Sequence, residues 1–129
     1  MTGTSRFETE TKPGYLLVRC RELSMPASLV DVCKEAAAIA GSNGHKALLV
    51  DIRGVQLASG MPSTMDRYGI GTRLAELTLK HRLRIALVGD EPLIDPKRFG
   101  EIVFHNRAGN GRVFTDIDQA SVWLDEQPG

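Results

Sequence analysis

The stretch from Lys46 to Ile52, which reads KALLVDI, decides the fold of this chain. Its continuous apolar centre is typical of a strand that lies deep in a sheet and is covered on both faces. A second stretch of the same kind, LRIALV, runs from Leu83 to Val88. Between the two lies a segment long enough for a helical crossover, which parallel strands require. The pair therefore predicts a βαβ unit.

The chain before this unit predicts a β-hairpin and a helix. A weakly alternating stretch from Arg6 to Thr11 and an apolar one from Tyr15 to Arg21 flank Pro13-Gly14, a pair that suits a type II turn. Ser24 and Pro26 then signal a helix start. The helix has one apolar stripe, formed by Leu29, Val32, Cys33, Ala36 and Ala40. We expect a weak first strand at the sheet edge and an alanine-rich helix that approaches the sheet closely.

The crossover helix between the two buried strands begins with a recognisable cap. Ser63 followed by Asp66 fits a capping box at a helix start. Two apolar faces follow, one formed by Met65, Tyr68, Thr72, Ala75 and Leu79, the other by Ile70, Leu74 and Leu77. Gly69 and Gly71 fall inside the segment and predict either a kink or a helix that begins near Ile70.

After the second buried strand we expect a helix, a short strand and a last helix. Asp95-Pro96 supplies an N-cap and a proline for the third helix, and Arg112 to Phe114 reads as a strand before a final helix capped by Thr115. The expected inward residues of these two helices are Phe99, Ile102, Val103, Ile117, Ala120 and Leu124. The order β-β-α-β-α-β-α-β-α predicts an α/β domain with a mixed, mainly parallel sheet of about five strands.

One domain is expected over residues 1–129, with residues 1–5 and 127–129 flexible. The expected centre of its core is Leu49, Val50, Ile85, Leu87 and Val88, with Val32, Ala36 and Phe99 packed on it. Replacing Leu87 with alanine is then expected to cost about 2–5 kcal/mol of stability.

The amino-acid composition argues against several classes of protein function. Lys+Arg and Asp+Glu both number 16, so the net charge is zero, which argues against a dedicated nucleic-acid binder. No apolar run approaches the ~18 residues of a membrane span. The 2 cysteines cannot form a disulfide framework and suit a reducing compartment. We expect a cytoplasmic protein.

Three stretches together resemble the SpoIIAA-like group of the STAS (anti-sigma-factor-antagonist) superfamily. They are Leu48–Gly54 (LLVDIRG), Arg84–Asp90 (RIALVGD), and Arg112–Asp116 (RVFTD) followed by Trp123-Leu124. The match extends from about Tyr15 to Leu124. The resemblance implies a mixed-sheet domain without an established enzymatic activity. It also implies action by protein–protein binding, which phosphorylation of a serine switches in some members. The related CRAL-TRIO domains, of similar fold, bind lipids.

The same resemblance marks Ser59 as a candidate phosphosite. The antagonists carry Asp-Ser-Ser-Gly, and their second serine is the one phosphorylated. Here Ser59-Gly60 matches the end of that motif, but Leu57-Ala58 replaces its beginning. A phosphate on Ser59 would add negative charge near a helix N-terminus that can hold it. The alternative is an ordinary polar loop residue beside a turn glycine.

Polar residues follow the two buried strands where each strand ends. Asp51 and Arg53 end the first and Asp90 follows the second, at the sheet edge where α/β proteins bind ligands. With backbone donors at Ser63, these residues predict a small site for an anion or polar head group. The alternative is a structural ion pair, either Asp51 with Arg53 or Arg53 with Asp90.

Candidates for catalysis, metal binding or cofactor binding are lacking. His45, His81 and His105 lie in separate segments without metal-ligand spacing. Cys20 and Cys33 are expected to be small buried apolar residues. We therefore expect no catalytic residue, no metal and no cofactor.

These observations favour a non-enzymatic, STAS-like regulatory module. Its partner would be another protein or a second copy of the chain, bound through the face from Arg53 to Met65 with Met61, Met65 and Tyr68 as apolar contacts. The alternative is a carrier or sensor of a small apolar or lipid-like ligand held between the crossover helix and the sheet. An enzyme that uses Asp51, Arg53 and Asp90 is the least favoured reading, because it lacks a nucleophile. Whether the helices expected over Pro62–Lys80 and Asp95–Arg107 leave an apolar cavity is the observation that would best separate these hypotheses.

Overall fold

The structure is a computed structural model, which describes residues 7–23, 25–55, 57, 60–91, 93–94, 99–107 and 109–126. The expected flexible ends and the caps at Ser24 and Asp95-Pro96 lie outside these ranges. The elements are β1 Phe7–Lys12, β2 Tyr15–Cys20, α1 Ser28–Ser42, β3 Ala47–Asp51, α2 Thr64–His81, β4 Arg84–Val88, α3 Phe99–Asn106, β5 Gly111–Phe114 and α4 Ile117–Glu126.

The five strands form one sheet in the order β1-β2-β3-β4-β5. β1 pairs antiparallel with β2, and the other neighbours are parallel. Gly14, in the turn after Pro13, has φ +88°, the positive value that a type II turn needs and that glycine adopts without strain. The predicted α/β class, element order and edge hairpin are confirmed.

The core consists of two clusters, one on each face of the sheet, because successive strand residues point to opposite faces. Val50 and Ile85 lie in the cluster covered by α1 and α2, whereas Leu49 and Val88 lie in the cluster covered by α4. All four are buried, as expected, but Leu87 is only partly buried, so its predicted central position is wrong. The physical reason is a cavity beside Leu87, described below.

α1 buries its predicted alanine-rich stripe but begins at Ser28, two residues after Pro26. A turn precedes it, in which Ser28 N donates to Met25 O (3.0 Å) and Leu29 N to Pro26 O (3.1 Å). The stripe packs on β2 and β3, the two strands that α1 contacts. Small side chains on this stripe allow that close approach.

α2 begins with the predicted capping box at Ser63 and is continuous through Gly69 and Gly71, so its start is not delayed to Ile70. The two apolar faces predicted for α2 are only partly buried. Met65 and Leu79 are 76% and 56% exposed. α2 packs mainly against α3 and α1, and its backbone approaches the strands less closely than those of α1, α3 and α4 do.

The last two helices differ from expectation in detail. Ile102, predicted to face inward on α3, is 52% exposed. The cap of α4 is Asp116 and not Thr115, because Asp116 Oδ1 accepts hydrogen bonds from the amides of Asp118 (2.8 Å) and Gln119 (3.1 Å). These are the second and third residues of the helix, which an N-cap side chain reaches.

The two outer strands carry different side-chain contacts: those of β5 lie at its free edge, and those of β1 lie within the β1–β2 hairpin. On β5, the amide of Val113 donates to Glu101 Oε2 (2.7 Å), and the carbonyl of Gly111 accepts from His105 Nε2 (2.7 Å). Both side chains come from α3. On β1, Glu8 and Glu10 form ion pairs with basic residues of the same hairpin: Lys12, Arg19 and Arg21.

Candidate functional site

Asp51 and Arg53 form a local ion pair at the carboxyl end of β3. Arg53 Nε lies 2.9 Å from Asp51 Oδ1, and Nη2 lies 2.9 Å from Oδ2. The backbone amide of Arg53 also donates to Oδ1 at 3.1 Å. A turn at Arg53-Gly54 follows β3. It brings the guanidinium of Arg53 beside the carboxylate of Asp51, two positions earlier in the sequence. Of the alternatives predicted here, the geometry favours the Asp51–Arg53 pair.

The charge of Asp51 is stabilised within the fold. Burial of this carboxyl acts to raise its pKa, but the hydrogen bonds and positive charge of Arg53, together with Arg19 on the neighbouring strand, outweigh burial and hold the pKa below its usual value. The pKa of Arg53 is raised in turn, chiefly by its hydrogen bond to Asp51. A carboxylate held ionised in this way is a poor proton acceptor at neutral pH.

Asp90 and Ser63 also have partners inside the chain. Asp90 Oδ2 accepts from the amide of Gly54 (2.9 Å), which links the loop after β3 to the end of β4. Ser63 and Asp66 bond to each other in both directions, Ser63 N to Asp66 Oδ2 (2.8 Å) and Asp66 N to Ser63 Oγ (3.0 Å). The helix start thus already holds a carboxylate. These contacts favour structural roles over an anion site.

The candidate phosphosite Ser59 lies outside the described residues. The residues of the proposed interaction face that follow it are exposed: Met61 by 59%, Met65 by 76% and Tyr68 by 40%. Tyr68 also accepts a hydrogen bond from Arg107 Nη2 (2.8 Å), whose guanidinium carbon lies 5.9 Å from the centre of the tyrosine ring.

A cavity of about 120 Å³ lies between α2 and the sheet, with α3 at its side. From β4, Ile85 and Leu87 line it, and β5 adds Gly111 and Val113. From α2, Ile70, Gly71 and Leu74 line it. Loop residues and the start of α1 complete the apolar wall: Leu23, Pro26, Leu29, Ile52, Leu57, Pro62, Leu93 and Ile94. These residues come from distant parts of the chain, so no local motif announces the cavity. The two apolar faces and the glycines of α2 were its only sequence signal.

Three charged residues line this cavity: Arg67, Glu101 and Arg112. The guanidinium carbon of Arg112 lies 5.5 Å from the centre of the Phe114 ring, and the side chains of Arg67 and Glu101 each bind a backbone group. Arg67 Nη1 donates to Leu93 O (3.0 Å). Glu101 Oε2 accepts from Val113 N (2.7 Å). Because these polar ends are engaged at the wall, the surface that faces the cavity is almost wholly apolar. Such a space favours an apolar occupant over an ion.

A glycine at the end of β4 shapes one side of the cavity. A Cβ added at Gly89 would lie 2.9 Å from Ile94 Cγ1 and 3.0 Å from Ile52 Cγ1. The first distance is shorter than real Cβ contacts and the second is tighter than most of them, so a side chain at Gly89 would displace Ile94 and press on Ile52. Ile52 and Ile94 both belong to the cavity wall, and Gly89 therefore lets them close it.

The remaining reactive residue types form no cluster in the described part of the chain. No group of three or more His, Cys, Asp or Glu within the described ranges could hold a metal ion. Cys20 and Cys33 are free and buried. Burial is the main cause that raises the pKa of the Cys20 thiol to about 11 and raises that of Cys33 further, so both lack thiolate character.

A membrane-spanning helix is not found among the described residues either. In comparisons with known proteins, the chain matches no protein-family model and no curated protein. Among the described residues, the cavity under α2 and the exposed front of that helix are apolar surfaces available for binding.

Proposed function

We propose that this chain is a non-enzymatic, STAS-like regulatory protein that carries or senses a small apolar ligand in the cavity under α2. The observation that carries the proposal is the apolar wall, which brings together α2, β4 and the loops at the carboxyl ends of the strands. An apolar pocket that is partly open to solvent is a default site for a small ligand.

The volume sets the size of the ligand. An apolar cavity of roughly 150 Å³ stays free of water and takes up benzene, and the cavity here measures about 120 Å³. Whole drug-sized ligands occupy roughly 300 Å³ or more. The occupant is thus a small ring or short branched chain, or the apolar end of a longer molecule.

The polar groups at the carboxyl edge support a non-enzymatic role. Asp51 is ionised and paired with Arg53, and Asp90 holds Gly54. None of them is poised as a base or a nucleophile. The free, buried thiols of Cys20 and Cys33 suit a reducing compartment such as the cytoplasm.

Benzene titration followed by methyl NMR tests the proposal. The methyl groups of Leu74, Ile85 and Leu87 line the cavity and are expected to shift saturably. Those of Leu17 and Leu49 lie in the cluster on the opposite face of the sheet and serve as the internal control. No saturable shift in the first group, or equal shifts in both groups, would contradict ligand binding in this cavity.

A second candidate function is docking of another protein, or of a second copy of this chain, on the front of α2. The exposure of Met61, Met65 and Tyr68 favours it, because adaptable apolar side chains are enriched at binding surfaces. Sedimentation and crosslinking test the homodimer: Met65→Glu is expected to dissociate it and Leu79→Glu, at the exposed far end of the same helix, is not. A chain that stays monomeric at all concentrations would exclude the second copy as partner.

A further inference from the structure

Exposed cations gather at the amino edge of the sheet, where α2 ends and β3 and β4 begin. Lys80 lies in the last turn of α2, Arg82 follows that helix, and Lys46 precedes β3; all three side chains are exposed. The carbonyl of Lys46 accepts a hydrogen bond from the amide of Arg84 (2.9 Å), the first residue of β4, so the starts of the two strands adjoin. We call Lys46, Lys80 and Arg82 the basic patch.

The charges of the basic patch have no ion-pair partner in the described part of the chain. The ion pairs found there involve other cations. Glu76 lies one helical turn before Lys80 and forms no ion pair with it. The carboxyl end of a helix carries the equivalent of about half a negative charge, which offsets only a fraction of three cations. The patch therefore presents a positive surface to the solvent.

Arg82 adopts a backbone conformation that favours glycine. Its φ is +54°, and among the described residues it is the one non-glycine residue with a positive φ. Leu83 N donates to Thr78 O (3.0 Å), the hydrogen bond of a helix end at which the left-handed residue is usually glycine. Arginine at this position costs stability, so its presence there needs a reason other than folding.

The opposite edge of the sheet is acidic. Asp31, Asp66, Glu101 and Asp118 lie in the first turns of the four helices, which begin at the carboxyl ends of the strands. The net charge of the chain is zero, so the whole molecule has no general attraction for anions. An anionic partner therefore has to be short enough to contact the basic patch and avoid the acidic edge.

The size and surroundings of the patch fit an acidic protein segment. Anionic membranes are recognised by clusters of about four to eight Lys and Arg residues, and the patch is smaller. Single-stranded nucleic acid stacks on exposed aromatic side chains, and the exposed aromatic residue of the described ranges, Tyr68, lies about three turns before Lys80. Leu79, which is 56% exposed, lies beside the patch and offers an apolar contact.

We infer that the basic patch, together with Leu79, binds a short acidic segment of a partner protein, one in which Asp and Glu residues flank an apolar residue. The carboxylates of the segment pair with Lys46, Lys80 and Arg82, and its apolar residue contacts Leu79. This surface is separate from the cavity and from the front of α2, so the inference does not depend on the proposed function.

Fluorescence anisotropy with a labelled peptide of sequence EEDLEED tests the inference. The wild-type chain is expected to bind this peptide and not its neutral counterpart QQNLQQN, and the affinity is expected to fall as salt is raised, because exposed charges are screened. Lys80→Ala should weaken binding by about two- to fivefold, the range of one exposed ion pair, and the combined variant Lys46→Ala/Lys80→Ala/Arg82→Gly by about tenfold or more. Lys34→Ala removes a cation exposed on α1 and is expected to bind as the wild type does.

Arg82→Gly separates binding from folding. Glycine adopts the left-handed conformation without strain, so the melting temperature is expected to rise by about 2–5 °C while peptide binding weakens by about two- to fivefold. Arg82→Lys keeps both the charge and the strain and is expected to match the wild type in both measurements.

The inference would be overturned by a wild-type chain that does not bind the acidic peptide at low salt, by a combined variant that binds it equally well, or by an Arg82→Gly variant with a lowered melting temperature. Tighter binding of a dT oligonucleotide or of phosphatidylserine vesicles would overturn it in favour of a nucleic-acid or membrane partner. None of these outcomes bears on the cavity, because benzene titration tests the proposed function separately.

Discussion

Two leucines on the same face of the sheet are expected to differ in what they contribute to stability. Leu48 on β3 is completely buried, whereas Leu87 on β4 is partly buried and borders the cavity. Truncation to alanine removes three carbons, worth roughly 2.4 kcal/mol of transfer free energy when fully buried. The new void adds to this cost, so Leu48→Ala is expected to lower the free energy of unfolding by about 3–5 kcal/mol. Leu87 already lacks neighbours on the cavity side, and we expect Leu87→Ala to cost about 1–2 kcal/mol.

Urea unfolding of the two variants measures this difference. The dependence of unfolding free energy on urea should match that of the wild type, so that the midpoints report stability directly. Leu87→Ala should also enlarge the cavity and strengthen binding of apolar molecules larger than benzene. Equal losses for Leu48→Ala and Leu87→Ala would refute the reasoning, because they would mean that Leu87 is as closely packed as Leu48.

Three further variants test other contacts. Gly89→Ala is expected to cost about 1–3 kcal/mol in urea unfolding, because its methyl group would overlap Ile94; an unchanged midpoint would mean that the end of β4 is loosely packed. Asp116→Ala should cost about 1 kcal/mol by removing the α4 cap. Thr115→Ala is its matched control, and equal effects would argue against the assigned cap. The folded pKa of Asp51 is lowered, so the stability it adds is complete above its unfolded pKa of about 4 and is lost as pH falls through the folded value. Wild type should therefore be more stable than Asp51→Asn at pH 7, and the difference should shrink in acid; a difference that grows in acid would contradict the assigned shift.

The strands and their order were predictable because their signals are local. A continuous apolar run such as Lys46 to Ile52 predicts a buried strand whatever packs on it. Helix caps are harder to place, since Thr115 and Asp116 are both good N-cap residues and the spacing of donors decides between them. The exposure of Ile102 depends on how α3 lies against α2, which periodicity within α3 does not contain.

The candidate site, too, was predictable from the sequence only where the interactions are local. The pair of Asp51 and Arg53 was foreseeable because the two residues are two positions apart in the sequence and a turn follows β3. The cavity depends on six or more separate segments, and the sequence indicated only its general place under α2. Gly69 and Gly71 were visible in the sequence as irregularities, but α2 runs through both of them without the predicted delay of its start.

The side-chain contacts of the two outer strands, β1 and β5, restrict how copies of this chain can assemble. Side chains from α3 occupy the outward hydrogen-bonding groups of β5 at Val113 and Gly111, so that edge offers little to an incoming strand. A second copy that aligned its β1 antiparallel about Thr9 would bring Glu8 of one chain opposite Glu10 of the other, and like charges oppose such pairing. Growth of the sheet from chain to chain, the route to fibrils, is thus discouraged at β5 and, in this one register, at β1. Self-association of this chain is therefore more favourable through an exposed helix surface, such as the front of α2, than through the edge of β5.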